Sequence, residues 1–171
     1  MIFPQFENIK IINDIRAKYD PLANHVKPHI TLVFTFESYI TSTELKKHIE
    51  GVIMEIKPFL LTMDKIIKID NSLGMYLFLT LNEGIKEIKH LSSNLYTGIL
   101  ESYKPQWLNN ETFFPHMTIG SFSSIDNLNK AYIDVSNIEE TLTTIVNKVS
   151  VEIIDEIEDS IIDFEIELKN D

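Results

Sequence analysis

The first half of the chain alternates between helical and strand-like patterns of apolar residues. Apolar side chains at helical spacing precede a break at Asp20-Pro21, and a strand-like stretch follows that break. Thr41-Ser42-Thr43-Glu44 has the spacing of a capping box and opens a second helix, which Pro58 ends. Turn residues at 70–74 then separate two further strand-like stretches. This half therefore predicts a helix, a strand, a helix and two strands, at about residues 9–19, 27–36, 41–57, 59–69 and 75–81.

The second half of the chain repeats this order of patterns. An amphipathic stretch that starts at Ile85 ends near Tyr103-Lys104-Pro105, and either Ser123 or Ser124 can cap a later one. The last two strand-like stretches flank an acidic turn at 155–160. This half predicts a helix, a strand, a helix and two strands, at about residues 85–103, 113–122, 124–135, 149–153 and 162–168.

The shared order predicts a duplicated α+β unit with mostly antiparallel sheets and flanking helices. Its sequence halves cover about 1–83 and 84–171, and no flexible or low-complexity linker separates them. We therefore expect a single domain over residues 1–171. Equivalent strands in two packed lobes can then bring together residues that are far apart in sequence.

One short motif occurs twice, once in each half. Pro28-His29-Ile30-Thr31-Leu32 and Pro115-His116-Met117-Thr118-Ile119 both read proline, histidine, apolar, threonine, apolar. In an extended strand the side chains alternate between faces, so each histidine shares a face with the threonine two residues later. The apolar residues of each copy point the other way, into the predicted core.

Two such copies facing each other would surround an anion with two imidazoles and two hydroxyls. Imidazole titrates near pH 6.5, so one histidine can act as a base while the other acts as an acid. The threonine hydroxyls can donate hydrogen bonds to phosphate oxygens as negative charge builds there. The pattern favours acid–base chemistry on a phosphodiester, with His29 and His116 as catalytic residues and Thr31 and Thr118 binding phosphate. Because the copies are nearly symmetric, the acid and base roles stay open.

Composition narrows the range of substrates and locations. The chain has 15 basic and 26 acidic residues, a net charge of −11, and Arg16 as its single arginine. Long nucleic acids need a basic stripe that displaces counterions, so no long nucleic-acid footprint is expected. The chain has no cysteine, and neither a leader-like start nor an 18-residue apolar run is present. We expect a cytoplasmic protein without a membrane segment, and a monomer.

The paired motifs resemble the His-x-Thr/Ser signatures of the two-histidine (2H) phosphoesterase superfamily, which includes proteins similar to 2′-5′ RNA ligases and cyclic nucleotide phosphodiesterases. The resemblance covers nearly the whole chain in length, element order and motif position. It implies a bilobed fold with pseudo-two-fold symmetry and a central cleft lined by both motifs. Relatives that act on RNA ends often carry a basic residue just after the second motif, where this chain has Gly120-Ser121.

The resemblance also implies a reaction and its residues. A metal-independent phosphoesterase would hydrolyse a 2′,3′-cyclic phosphate or a 2′-5′ phosphodiester of a nucleotide or short RNA end. His29 and His116 would form the acid–base pair, and Thr31 and Thr118 would hold phosphate oxygens. No metal and no cofactor would be needed.

Two other functions remain open from the residues alone. One is a module that binds a nucleotide or phosphorylated metabolite with the same donors but does not turn it over. The other is a hydrolase that uses a metal held by His29, His116 and nearby carboxylates, although no compact His/Asp/Glu spacing supports it. His25 and His29 have helical zinc-pair spacing, but Pro28 disfavours a helix there. Some aromatic residues and lysines have weaker functional interpretations as base-stacking or phosphate-binding groups: Phe34, Tyr76, Trp107, Lys27 and Lys104.

Overall fold

The computed structural model describes residues 1–169, which form helices and antiparallel strands in a mixed order. The α-helices are α1 Ile9–Tyr19, α2 Ser42–Ile53, α3 Ile85–Leu95 and α4 Ile125–Val135. A 3₁₀ helix covers Gly98–Tyr103. The strands are β1 Phe59–Asn71, β2 Gly74–Glu83, β3 His116–Phe122, β4 Leu142–Val146, β5 Lys148–Ile154 and β6 Ser160–Glu167.

The helix boundaries follow the capping signals of the sequence. Thr41 and Glu44 form the predicted capping box at the start of α2, with each side chain bonded to the other residue's backbone N–H. Ser124, rather than Ser123, caps α4 by accepting a hydrogen bond from the backbone of Asn127 at 3.3 Å. The predicted helix 85–103 is wrong in its middle, because α3 ends at Leu95 and Gly98 adopts a left-handed φ of 52°.

The larger sheet has four antiparallel strands in the order β3-β2-β1-β4. A tight turn between Asn71 and Gly74 joins β1 to β2, as the sequence predicts. Gly74 has a φ of 137°, and a Cβ there would lie 2.7 Å from the Tyr76 ring, so the turn requires glycine. β4 is an addition to the prediction: it has five residues, too few for its alternation to stand out.

The smaller sheet pairs β5 with β6, and the N-terminal segment connects it to the first motif. The backbone of Met1 exchanges hydrogen bonds with Ser150 at 2.9 and 3.0 Å. Ile2 exchanges two more with Ile30, at 2.9 and 2.8 Å. The N-terminal residues therefore link the smaller sheet to the segment that carries His29, and a single backbone bridge at Ile30 makes the link to that segment.

The predicted strand 27–36 is thus wrong as a continuous strand. Pro28 has no backbone N–H to donate to a ladder. Beyond the bridge, side chains satisfy the backbone of this segment: the Ser92 hydroxyl donates to the Leu32 carbonyl at 2.7 Å. The Phe34 N–H donates to the Tyr96 hydroxyl at 2.8 Å. The segment is extended, but side chains of α3 and of the residue after it bond its backbone, where a neighbouring strand would do so in a sheet.

The fold class is confirmed as mixed α+β with antiparallel sheets. The sheets do not coincide with the sequence halves, because β1 and β2 of the first half pair with β3 and β4 of the second. The pseudo-two-fold symmetry and the single bilobed domain over 1–171 remain predictions.

One continuous apolar core supports both motifs. The apolar positions of the two copies belong to it and are almost fully buried: Ile30, Leu32, Met117 and Ile119 are 0%, 0%, 0% and 1% exposed. Helices α1 and α4 pack on the large sheet, and α2 contacts both α3 and β6. Among residues 1–169, no helix has the length and apolar character needed to cross a membrane.

The hydrogen bond from Ser92 gives a test of how the first motif is held. Ser92→Ala should lower the free energy of unfolding by about 1–3 kcal/mol, because the buried Leu32 carbonyl loses its partner. Ser93→Ala, one position further along α3 and less buried, is the matched control and should be near neutral. Urea unfolding of both variants measures the difference, and equal stability would show that the bond contributes nothing.

Candidate active site

His116 and Thr118 lie on the open face of the four-stranded sheet. They alternate along β3 with Met117 and Ile119, which point into the core beneath. His116 is directly opposite Thr80 of the neighbouring strand β2. Both His116 and Thr118 are half-buried. The alternation predicted for the second motif is therefore confirmed.

His29 and Thr31 have the same alternation without a full strand. Ile30 forms the bridge to Ile2 and is 0% exposed, as is Leu32. His29 and Thr31, between these buried positions, are half-buried. Two buried anchors fix which way this extended segment faces.

The two imidazoles are tethered in the same way. Nδ1 of His29 lies 2.9 Å from the Lys27 carbonyl oxygen, and Nδ1 of His116 lies 2.7 Å from that of Phe114. A carbonyl oxygen only accepts hydrogen bonds, so Nδ1 must carry the proton and donate it. In the neutral ring Nε2 is then left with a free lone pair. Both neutral rings thus have the same tautomer, with the proton on Nδ1 and the lone pair on Nε2.

Aromatic rings hold the imidazoles differently. The Phe78 ring stacks face to face on His116, with ring centres 3.6 Å apart and planes 19° from parallel. The Phe114 ring is also nearly parallel to His116, at 6.0 Å. His29 instead meets Phe3 in a tilted arrangement, at 5.9 Å and 59°. His116 has the more restricted ring.

Burial lowers the pKa of both histidines below the ordinary value of 6.5, because it disfavours the charged ring. The positive charge of His29 lowers the pKa of His116 further. Such an effect requires the two imidazoles to lie within electrostatic range of each other, although 87 positions separate them in sequence. For His29, Glu152 acts in the opposite direction to burial, while Arg16 acts with it.

The threonine hydroxyls share the faces of the two histidines. Neither Thr31 nor Thr118 has a side-chain hydrogen bond to protein among residues 1–169. A half-buried hydroxyl without a protein partner can donate to a bound oxyanion at little cost.

Arg16 is a supporting residue that sequence reasoning missed. It is 3% exposed, and its Nε donates to the Asp20 carboxylate at 2.7 Å. Its other nitrogens donate to the carbonyls of Val26, at 2.8 Å, and Leu22, at 3.3 Å. The guanidinium therefore closes the loop that leads directly into Lys27-Pro28-His29. The only sequence signal was Arg16 and Asp20 at positions i and i+4.

Other residues with weaker predictions have structural partners. His25 Nδ1 contacts the Asp159 carboxylate at 2.7 Å, so this ring is engaged away from His29. His48 Nε2 contacts the Leu95 carbonyl oxygen at 3.0 Å, and the ring is partly buried. Trp107 packs its ring edge against Phe34 at 5.2 Å. Among residues 1–169, no group of three or more His, Cys, Asp or Glu side chains is placed to hold a metal ion.

Comparison with known proteins shows the family of this chain. The family model of the 2′-5′ RNA ligase superfamily matches residues 3–157. The chain belongs to this superfamily. A candidate phosphoesterase of Bacillus licheniformis is 29% identical over 132 residues, which cover 74% of this chain and 71% of that protein.

Solved structures of E. coli LigT share the fold. The complex with NADP+ superposes with a TM-score of 0.57 at 17% identity, covering 98% of this chain and 99% of that one. The complex with 3′-AMP gives a TM-score of 0.57, also at 17% identity, with 99% and 95% covered. At 17% identity, this likeness shows a shared fold and nothing more.

The lowered pKa values predict a measurable titration. In wild-type protein both site imidazoles should titrate below 6.5, and in His29→Gln the pKa of His116 should rise because a neighbouring positive charge is lost. NMR of the ring protons measures both values. An unchanged pKa of His116 in His29→Gln would mean that the rings are not coupled.

The same shifts give a pH dependence of stability. Because the folded-state pKa values are lowered, the unfolded chain binds more protons between those values and 6.5. The free energy of unfolding should therefore fall as pH decreases from 6.5 to the folded-state pKa values. The double variant His29→Gln/His116→Gln should lose less stability over that window than wild type in urea unfolding.

Proposed function

We propose that this chain hydrolyses a 2′,3′-cyclic phosphate or a 2′-5′ phosphodiester of a nucleotide or short RNA end, with His29 and His116 as the acid–base pair. The observation that carries the proposal is the matched tether of the two imidazoles, which leaves Nε2 of each ring free for proton transfer. The reaction needs one neutral and one protonated imidazole at the working pH.

The proposed step balances two proton transfers around one phosphorus. The neutral imidazole takes a proton from water as its oxygen bonds to phosphorus. The protonated imidazole gives its proton to the ribose oxygen as the phosphorus–oxygen bond to that oxygen breaks. Thr31 and Thr118 donate hydrogen bonds to the non-bridging oxygens, which carry the growing negative charge. Water is the nucleophile and the ribose oxygen is the leaving group, and the residues of the chain supply the proton transfers and the hydrogen bonds.

The size of the proposed substrate follows from the charge of the chain and from the ligands of similar proteins. A net charge of −11 opposes binding of long nucleic acid, since no basic stripe is available to displace its counterions. Structures of E. coli LigT hold small nucleotides: NADP+, 3′-AMP and ATP. A single nucleotide or a short RNA end is the substrate class that fits both observations.

Turnover of nucleoside 2′,3′-cyclic phosphates tests the proposal. Hydrolysis should persist in EDTA, and His29→Ala or His116→Ala should each lower kcat/KM by about 10² or more. The double variant should lose much less than the product of the two single effects, because the residues act as a unit. The profile of kcat/KM against pH should be bell-shaped in wild type, with two apparent pKa values that belong to the coupled pair.

His90→Ala is the matched control for this experiment, since His90 is exposed on α3 and contacts Asn94. It should leave kcat/KM unchanged. Loss of turnover in EDTA would replace the proposal with a metal-dependent hydrolase. Saturable nucleotide binding without any turnover would instead identify a binding module.

The threonine hydroxyls should contribute less than the histidines. Thr31→Val or Thr118→Val should raise the activation free energy by at most about 2–4 kcal/mol, because each removes a hydrogen-bond donor and leaves proton transfer intact. The bell-shaped pH profile should keep its two apparent pKa values. Thr143→Val, on the exposed side of β4, is the control and should not change kcat. An effect on KM alone would show that the hydroxyls bind the ground state and the transition state equally.

A further inference from the structure

The open face of the four-stranded sheet carries a lysine in line with His116. In the strand register Lys65 of β1 is directly opposite Thr80 of β2, and Thr80 is directly opposite His116 of β3. Residues directly opposite each other in antiparallel strands point to the same face. Lys65, Thr80 and His116 therefore form one row across the sheet.

The row places the lysine within reach of a ligand at His116. Two strand spacings separate the Cα atoms of Lys65 and His116, which corresponds to about 10 Å. The four-carbon stem of a lysine can carry its ammonium group across much of that distance. Lys65 is exposed, and its side chain has no hydrogen bond or ion pair with protein in the part of the chain from 1 to 169.

Lys68 of the same strand is engaged elsewhere. It points to the opposite face, where its Nζ contacts the side-chain oxygen of Asn129 at 2.6 Å. The same ammonium group lies 5.6 Å from the centre of the Tyr132 ring. Two lysines three positions apart on one strand thus differ in the face that they occupy.

The residues of the two motifs provide no fixed positive charge to attract an anionic ligand. Its threonines are neutral, and burial favours the neutral form of both histidines. Arg16, the single arginine, is buried against Asp20. An anion approaching a protein of net charge −11 must overcome repulsion, which a nearby fixed cation reduces.

The residues of the adjacent row strengthen the attraction between Lys65 and a bound anion. Ile67 of β1, Phe78 of β2 and Thr118 of β3 form the adjacent row on the same face. Ile67 and Phe78 are half-buried and apolar, so they provide a floor of low polarity along which the lysine stem can lie. A charge pair above such a floor is less screened than one in bulk water.

We propose that Lys65 binds an anionic phosphate oxygen of the nucleotide that lies between His29 and His116. This inference rests on the proposed function only in requiring that the cleft binds a nucleotide phosphate. It adds a binding residue that lies outside both motifs.

The affinity for adenosine 3′-monophosphate, measured by isothermal titration calorimetry at low ionic strength, tests the inference. Lys65→Gln should weaken binding by about three- to fivefold, the loss expected of an exposed ion pair, and Lys65→Arg should retain affinity. Lys68→Gln removes the same charge from the other face and should change affinity less than twofold. Adenosine, which lacks the phosphate, should bind wild type and Lys65→Gln equally.

Raising the salt concentration should weaken binding more steeply in wild type than in Lys65→Gln, because exposed charge pairs are screened. Equal losses in Lys65→Gln and Lys68→Gln would overturn the inference, since only the overall charge would then matter. Unchanged affinity in Lys65→Gln would overturn it and leave the proposed function intact. If wild type binds no nucleotide phosphate at all, both the inference and the proposed function fail.

Discussion

Burial of the apolar residues within the two motifs is the constraint on which the site depends. Ile30, Leu32, Met117 and Ile119 are almost completely removed from water, and each lies next to a histidine or a threonine of the site. Rotating either segment to hide its histidine would expose two of these side chains, at about 1.5–3 kcal/mol each. The polar groups are thus held at the surface of the core by their neighbours in sequence.

Each histidine bonds the backbone carbonyl two residues before it, but different parts of the fold hold the two segments. His116 lies on a sheet strand, against a stacked phenylalanine, so its position depends on the β2–β3 ladder. His29 lies on a segment that has a single bridge to Ile2 and that Ser92 and Arg16 hold from its two sides. The first motif therefore depends on side-chain hydrogen bonds where the second depends on backbone pairing. For this reason, substitutions remote from the two histidines can displace one of them without the other.

The sequence predicts those parts of the fold that depend on local pattern. Capping of α2 at Thr41, the glycine turn before β2 and the facing of His116 follow from residue spacing alone. The continuous strand 27–36 was wrong because the competing partner, the Ser92 hydroxyl, comes from a helix 60 positions away. The clamp by Arg16 was missed for a related reason, since its acceptors are backbone carbonyls, which any residue supplies. Pairing of β1 and β2 with β3 and β4 likewise depends on contacts between sequence halves that no single pattern reports.

The surroundings of the two motifs distinguish histidines that the motifs themselves make equivalent. Burial is the main cause of the lowered pKa of His29, and the Lys27 carbonyl opposes it. More weakly, Glu152 of β5 favours the charged form of His29 and Arg16 of α1 disfavours it. Burial is also the main cause of the lowered pKa of His116, which the Phe114 carbonyl raises and the charge of His29 lowers further. Both histidines cannot easily be charged at once, because each added proton lies in the field of the other. Such a pair holds one proton more readily than two.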